Sequence, residues 1–208
     1  MTPADWTNTT VVRFALFSQS GATANLSSHT VTHPDLSAAT TAQQQYELEG
    51  AKEWLISNGF DKGARFFATP YGKRNADTQR IAAAVYDNLR DGSSSPDAGY
   101  ETPLNRNWDR NTRYQLRFQE INSLDRTPVS QFQSWVDAAI AAGTWLIVLG
   151  HNVDGPNGWL TPALFQRYVD YVDSRRDQID VMTMSQYWDR RNQSLAEFSG
   201  TTGLLQTP

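Results

Sequence analysis

The sequence predicts an α/β fold: a mainly parallel sheet covered by helices, either open or closed into a barrel. Two observations carry this. Apolar runs with strand character alternate along the chain with segments of helical periodicity. Three histidine- or proline-bearing stretches then follow directly on predicted strands, placing them together on the carboxyl rim where sites form in such sheets.

The elements follow in chain order. Val11–Phe17 (VVRFALF) reads as a buried strand, and Ala22–Ser28 as a second, short one that delivers His29. A helix is expected from Thr40 or Thr41 to Asn58-Gly59, with Leu48, Ala51 and Leu55 as its inner stripe and Tyr46 and Trp54 flanking. Ala64–Pro70 is the next strand, ending in the Pro70-Tyr71-Gly72 turn. The following helix starts at Asn75 or Ala76 and turns Ile81, Ala84, Val85 and Leu89 inward.

Residues 91–111, rich in Gly, Ser, Pro and Asn, read as a long loop. Thr112–Ile121 alternates like a half-buried strand. Val129–Ala142 reads as a helix burying Phe132, Val136 and Ile140, stopped by Gly143. Thr144–Gly150 is the most apolar strand, expected to be central and to end at His151. Thr161-Pro162 caps a helix with Leu164, Tyr168, Tyr171 and Val172 as its stripe. Val181–Met184 reads as a last strand, Gln186–Gln193 as a short helix, and residues 199–203 as the start of a tail.

Composition narrows the class. At 208 residues, with 39% apolar and 12% aromatic side chains, the chain is one domain, 1–208, with a sizeable core. A net charge of −4 argues against a nucleic-acid or anionic-membrane partner, because both call for a basic face. With no cysteine, any metal must be held by histidine and carboxylate. No run approaches the ~20 apolar residues of a membrane span. Met1–Thr10 is polar and lacks the pattern of a signal peptide, so any export signal is not expected within these residues.

Of the three histidines, two sit in Ser28-His29-Thr30-Val31-Thr32-His33-Pro34-Asp35-Leu36. Four-residue spacing puts two imidazoles on one helix face. Here Thr30, Val31 and Thr32 are β-branched and Pro34 drives His33 out of the helical region, so a tight polar loop is expected instead. Both rings can converge on one ion from a loop as well; the alternative is two unconnected surface histidines.

The stretch resembles the metal-binding segment of the polysaccharide deacetylase family (carbohydrate esterase family 4, the NodB-homology domain). In that pattern a His is followed by Ser or Thr, two further residues, and a His with a small residue or Pro after it. Phe67-Ala68-Thr69-Pro70-Tyr71-Gly72 is similar to the family's groove motif. Trp145–Asn152 is similar to its last motif, a hydrophobic strand ending in a histidine. The resemblance spans about residues 20–190 and takes in every histidine. It implies a distorted, incomplete (β/α) barrel, His29 and His33 as ligands of one divalent ion, expected to be zinc, and His151 as general acid. It further implies Pro70, Tyr71 and Gly72 as substrate-binding residues, an acetylated polysaccharide or oligosaccharide as substrate, and an extracellular or cell-envelope location. For His151 the alternative is a core histidine at a strand end, and for the turn an ordinary Pro-Tyr-Gly sequence.

The departures from the family pattern are as specific. No Thr-Phe-Asp-Asp-like stretch precedes His29, and Asp5 is the one aspartate before it, leaving Asp5 or a neighbouring chain as the source of a third ligand or base. Ala68 stands where an arginine is common, Asn152 where an aspartate often follows, and Asn107-Trp108-Asp109 is a weak match to the fourth motif. The readings are therefore a metal-dependent hydrolase removing N-acetyl or O-acetyl groups, a lapsed relative with a glycan-binding or structural role, and an unrelated α/β binding domain with chance matches. The missing pair of aspartates leads to the expectation that the chain alone binds metal weakly and deacetylates poorly.

Overall fold

The computed structural model describes residues 25–93, 112–121, 127–142, 145–151, 153–154, 160–190 and 192. The predicted strand Val11–Phe17, Asp5, Asn107-Trp108-Asp109, Asn152 and the tail lie outside these residues.

Four parallel strands form a strongly curled half-barrel in the order β1-β2-β3-β4, in agreement with the incomplete barrel the resemblance implies. They are β1 (Phe66–Ala68), β2 (Asn88–Ser93), β3 (Leu116–Ile121) and β4 (Val148–Gly150). Ser28 extends the row beyond β1: its N–H donates to Phe66 O at 3.0 Å and its carbonyl accepts from Ala68 N at 3.0 Å, again in parallel sense. Among the described strands β4 stands at the end of the row rather than its centre. Of the described part of the expected strand, 145–150, it covers 148–150, and Ile147 and Leu149 are buried while Leu146 and Val148 are half-buried.

Five helices are described with these strands: α1 (Thr41–Ser57), α2 (Asp61–Ala64), α3 (Ala76–Val85), α4 (Val129–Ala142) and α5 (Pro162–Asp173). A reciprocal cap starts α1. Thr40 Oγ1 accepts from Gln43 N, and the Gln43 side chain accepts from Thr40 N at 2.9 Å. Gly59, at φ +82°, ends it in the left-handed region that glycine enters without a Cβ clash. Leu48, Ala51 and Leu55 are buried, as their spacing predicts.

In α3 the expected face is corrected. Ile81 and Ala82 are buried, Ala84 is exposed, and Leu89 lies on β2, because the helix stops at Val85. Tyr86 then turns extended, and its phenol is held in the core by Ser28 Oγ at 2.7 Å and Leu48 O at 2.5 Å. Residues 91–93, expected in a loop, complete β2; pairing with β3, up to Ser93 opposite Phe118, outweighs the weak strand preference of Asp91-Gly92-Ser93. Thr112–Tyr114 is a single 3-10 turn, so the strand expected from Thr112 begins at Leu116. Residues 181–183 form no strand, and a last helical stretch covers 184–190.

The core has three parts. Leu36, Leu48, Phe67, Ile81, Ala82 and Leu89 pack between the sheet and α1 and α3. Ile121, Phe132, Val136, Leu164 and Tyr168 pack between the sheet and α4 and α5. On the opposite, concave face lie Phe66, Leu116, Phe118, Ile147 and Leu149, met by Trp188 from the last helical stretch. No described helix is long and apolar enough to cross a membrane.

Candidate functional site at the carboxyl rim

The concave face is apolar at its base and polar at its rim, and strand alternation makes it so. In register, Ala68 pairs with Arg90, Arg90 with Leu116, and Glu120 with Leu149, and parallel partners share a face. Along β3 this face therefore carries Leu116, Phe118 and then Glu120. Along and just beyond β4 it carries Ile147, Leu149 and then His151. Glu120 and His151 are thus the last positions on this face of their strands, beyond apolar ones, and this carboxyl rim is the candidate site.

His29 follows directly on the Ser28 bridge, next to Ala68 at the end of β1. Its Nδ1 lies 2.8 Å from Ala68 O, which can only accept, so Nδ1 carries the proton and Nε2 presents a lone pair. That Nε2 lies 3.1 Å from Nε2 of His33, with the rings edge-on at 4.8 Å. Burial, together with the positive charge of Arg90, lowers the His29 pKa from 6.5 to about 4, despite the opposing bond to Ala68. Burial also lowers that of His33. His29 is thus neutral near pH 7, as metal ligation requires.

The loop that turns His33 back toward His29 is not helical. Thr30 (φ 73°) and His33 (φ 61°) both occupy the left-handed region, at a cost of order 1–3 kcal/mol each. Thr30 Oγ1 accepts from His33 N at 3.0 Å and closes the turn. Tyr71, in the Pro70–Gly72 turn after β1, is a third such residue (φ 56°); it is 69% exposed and stands edge-on to His33 at 4.7 Å. Pro70 is buried beneath it, and Gly72 (φ 65°) completes the turn. Lys73 pairs with Asp35 at 2.6 Å and ties this turn to the histidine loop, weakly, because both groups are largely in water.

His151 leaves β4 with its side chain 40% exposed and Nδ1 3.3 Å from Glu120 Oε1. It directly follows the carboxyl end of β4, as the Pro70–Gly72 turn follows that of β1. Sequence reading missed two residues here. Glu120 was legible as the last inward position of an alternating strand. Arg90, 3% exposed with its guanidinium 4.4 Å from the Phe118 ring centre, sits on a strand that was read as helix and loop. It lies in register beside Ala68, the position where the resemblance makes an arginine common.

The histidine pair fits two ligands of one ion. Tetrahedral ligand nitrogens at ~2.0–2.1 Å from a metal stand about 3.3 Å apart, close to the 3.1 Å between the two Nε2 atoms. Ala68 O already fixes the His29 tautomer, as a partner behind a metal ligand does. Among the described residues no group of three His, Cys, Asp or Glu comes together, so a third protein ligand is not found there.

A curled, incomplete parallel barrel with paired histidines on its carboxyl rim is the class that fold and site define. Residues 7–86 match the model of the family described as polysaccharide deacetylase. That match takes in His29, His33 and the Pro70–Gly72 turn; His151 lies beyond it. Similar solved structures include a family 4 carbohydrate esterase from Streptomyces lividans in complex with acetate. It is 17% identical at TM-score 0.43, over 72% of this chain and 60% of that one. Another is the Xyl-CE4 domain of a multidomain xylanase from the hindgut metagenome of Trinervitermes trinervoides. It is 18% identical at TM-score 0.46, over 80% of this chain and 64% of that one. The chain thus spans less than two thirds of either structure. No curated protein matches it.

Proposed function

We propose that the chain is a metal-dependent hydrolase that removes N-acetyl or O-acetyl groups from an acetylated polysaccharide or oligosaccharide. The observation that carries this reading is the pair of imidazoles with converging Nε2 atoms, 3.1 Å apart, on the family-matched stretch.

A divalent ion, zinc best suiting two imidazoles, would supply an activated water and polarise the acetyl carbonyl. His29 and His33 would hold it. His151 would protonate the departing group, with Glu120 Oε1 3.3 Å from its Nδ1 to orient the ring. The exposed ring of Tyr71 beside His33 offers a flat apolar face for a sugar, and buried Pro70 with Gly72 fixes the turn that presents it. The third ligand or base would come from outside the described residues, with Asp5 the candidate in this chain and a neighbouring copy the alternative.

One observation favours a second reading. With no third ligand among the described residues, a lapsed domain that binds glycan without hydrolysing it accounts for the same rim. Acetate release from acetylated chito-oligosaccharides, with zinc and with chelator, separates the two. The first reading expects slow, zinc-dependent release that His29→Ala removes. Glycan binding without acetate release at saturating zinc would instead establish the second.

A further inference from the structure

We propose that Glu47, on α1, is the positioning residue of the histidine loop: its buried carboxylate holds the turn in which the His29 and His33 rings face each other. The metal-affinity part of this inference rests on the proposed function; the ring geometry does not.

Glu47 is 5% exposed, an unusual place for a carboxylate unless its oxygens are satisfied. Among the described residues they are satisfied by the loop between the histidines. Oε2 accepts from Val31 N at 2.7 Å and Thr32 N at 2.8 Å, and Oε1 accepts from Thr32 Oγ1 at 2.5 Å. Three donors from two adjacent residues meet one acceptor group, with the short distances that an ionised acceptor gives.

What this grip secures is a backbone that its residues do not favour. Thr30 and His33 flank the gripped residues, and both stand at positive φ without being glycine. β-branched Thr30 is the less tolerant of the two. Released from Glu47, residues 30–33 have extended conformations open to them, and an extended path carries His33 away from His29. One turn further along the same face of α1, a Cβ built on Gly50 would stand 3.3 Å from Val31 Cγ2. The helix therefore holds the loop at two points, by a carboxylate at 47 and by close packing at 50.

The positioning role is distinct from a charge effect, and the variants are chosen to separate them. In Glu47→Gln the amide oxygen can still accept both backbone N–H groups, and the Thr32 hydroxyl can turn to accept from the amide, so the grip survives without the charge. Glu47→Ala removes it, and Thr32→Val removes one bond of three. In the full chain treated with chelator, the NMR contact between the His29 and His33 rings should persist in Glu47→Gln and weaken in Glu47→Ala. Zinc affinity, measured by chelator competition, should fall on the order of 10–100-fold in Glu47→Ala, the usual effect of losing a partner behind a metal ligand. The fall should be several-fold in Thr32→Val and least in Glu47→Gln. Should Glu47→Ala not fold, Thr32→Val and Glu47→Gln decide by their order. A folded Glu47→Ala with the ring contact and zinc affinity of the parent overturns the proposal, as does Glu47→Gln as damaged as Glu47→Ala. A parent that binds no zinc while Glu47→Ala still loses the ring contact leaves the positioning role standing and removes the metal reading instead.

Discussion

Nε2 of His29 and Nε2 of His33 lie 3.1 Å apart, and the far side of the His29 ring is bonded to Ala68 O. A backbone carbonyl cannot rotate to suit another tautomer, so His29 is committed to presenting its Nε2 lone pair toward His33. The rim holds His29 neutral at the expense of acid stability, and this has a measurable consequence.

The pKa of His29 falls on folding from 6.5 to about 4. As pH drops through 6.5 the unfolded chain takes up the proton first, so folding stability is complete above 6.5 and lost progressively toward 4. The loss should reach about 3 kcal/mol by pH 4. Urea unfolding of the chelator-treated chain between pH 7 and 4 measures it. His29→Gln should flatten the slope by that amount, and an unchanged slope would show that other groups set it.

Gly63 should tolerate no side chain. A Cβ built there would stand 1.9 Å from Leu26 O, in the segment that leads to Ser28 and His29. Gly63→Ala must therefore move α2 or that backbone, with an expected loss of about 1–3 kcal/mol in urea unfolding. Exposed Gly59, with no atom within 4 Å of its built Cβ but φ +82°, should lose less on the same change.

Tyr86→Phe should cost about 1–3 kcal/mol, because Leu48 O and Ser28 Oγ are left in the core without the phenol. Thermal unfolding reads the loss. A neutral result would mean that Ser28 finds another partner.

Glu120→Gln and His151→Ala should leave bound zinc unchanged, because neither touches the His29–His33 pair. Any acetate release should fall roughly 10²–10⁴-fold in His151→Ala, the usual worth of a positioned proton donor. Loss of zinc from His151→Ala would instead make that ring a ligand.

The sequence made much of this legible, and the misses have physical causes. α1 was found from its inner stripe and Gly59 because helix period and stop signal agree there. β2 was missed because its inward positions are Asn88 and Arg90 and its end is Asp91-Gly92-Ser93; sheet neighbours on both sides, not propensity, make it a strand. Thr183 opens the last helical stretch with a reciprocal cap. Its N–H donates to Gln186 Oε1 at 2.8 Å, and its Oγ1 accepts from Gln186 N at 3.3 Å. The same Thr-x-x-Gln pattern starts α1 at Thr40, and reading it at Thr183 would have replaced the expected strand Val181–Met184 with this turn. The histidines were legible from their motifs, and the loop from Pro34 and the β-branched run. Glu47 was not, because nothing in helical periodicity says that a polar position on α1 faces inward.

The measurement that bears most directly on the account is zinc content of the purified full chain after loading and desalting, beside His29→Ala and His33→Ala. The account predicts up to one equivalent in the parent, held weakly enough for a strong chelator to strip it, and none in either variant. One equivalent retained by the double variant would place the ion elsewhere and contradict it.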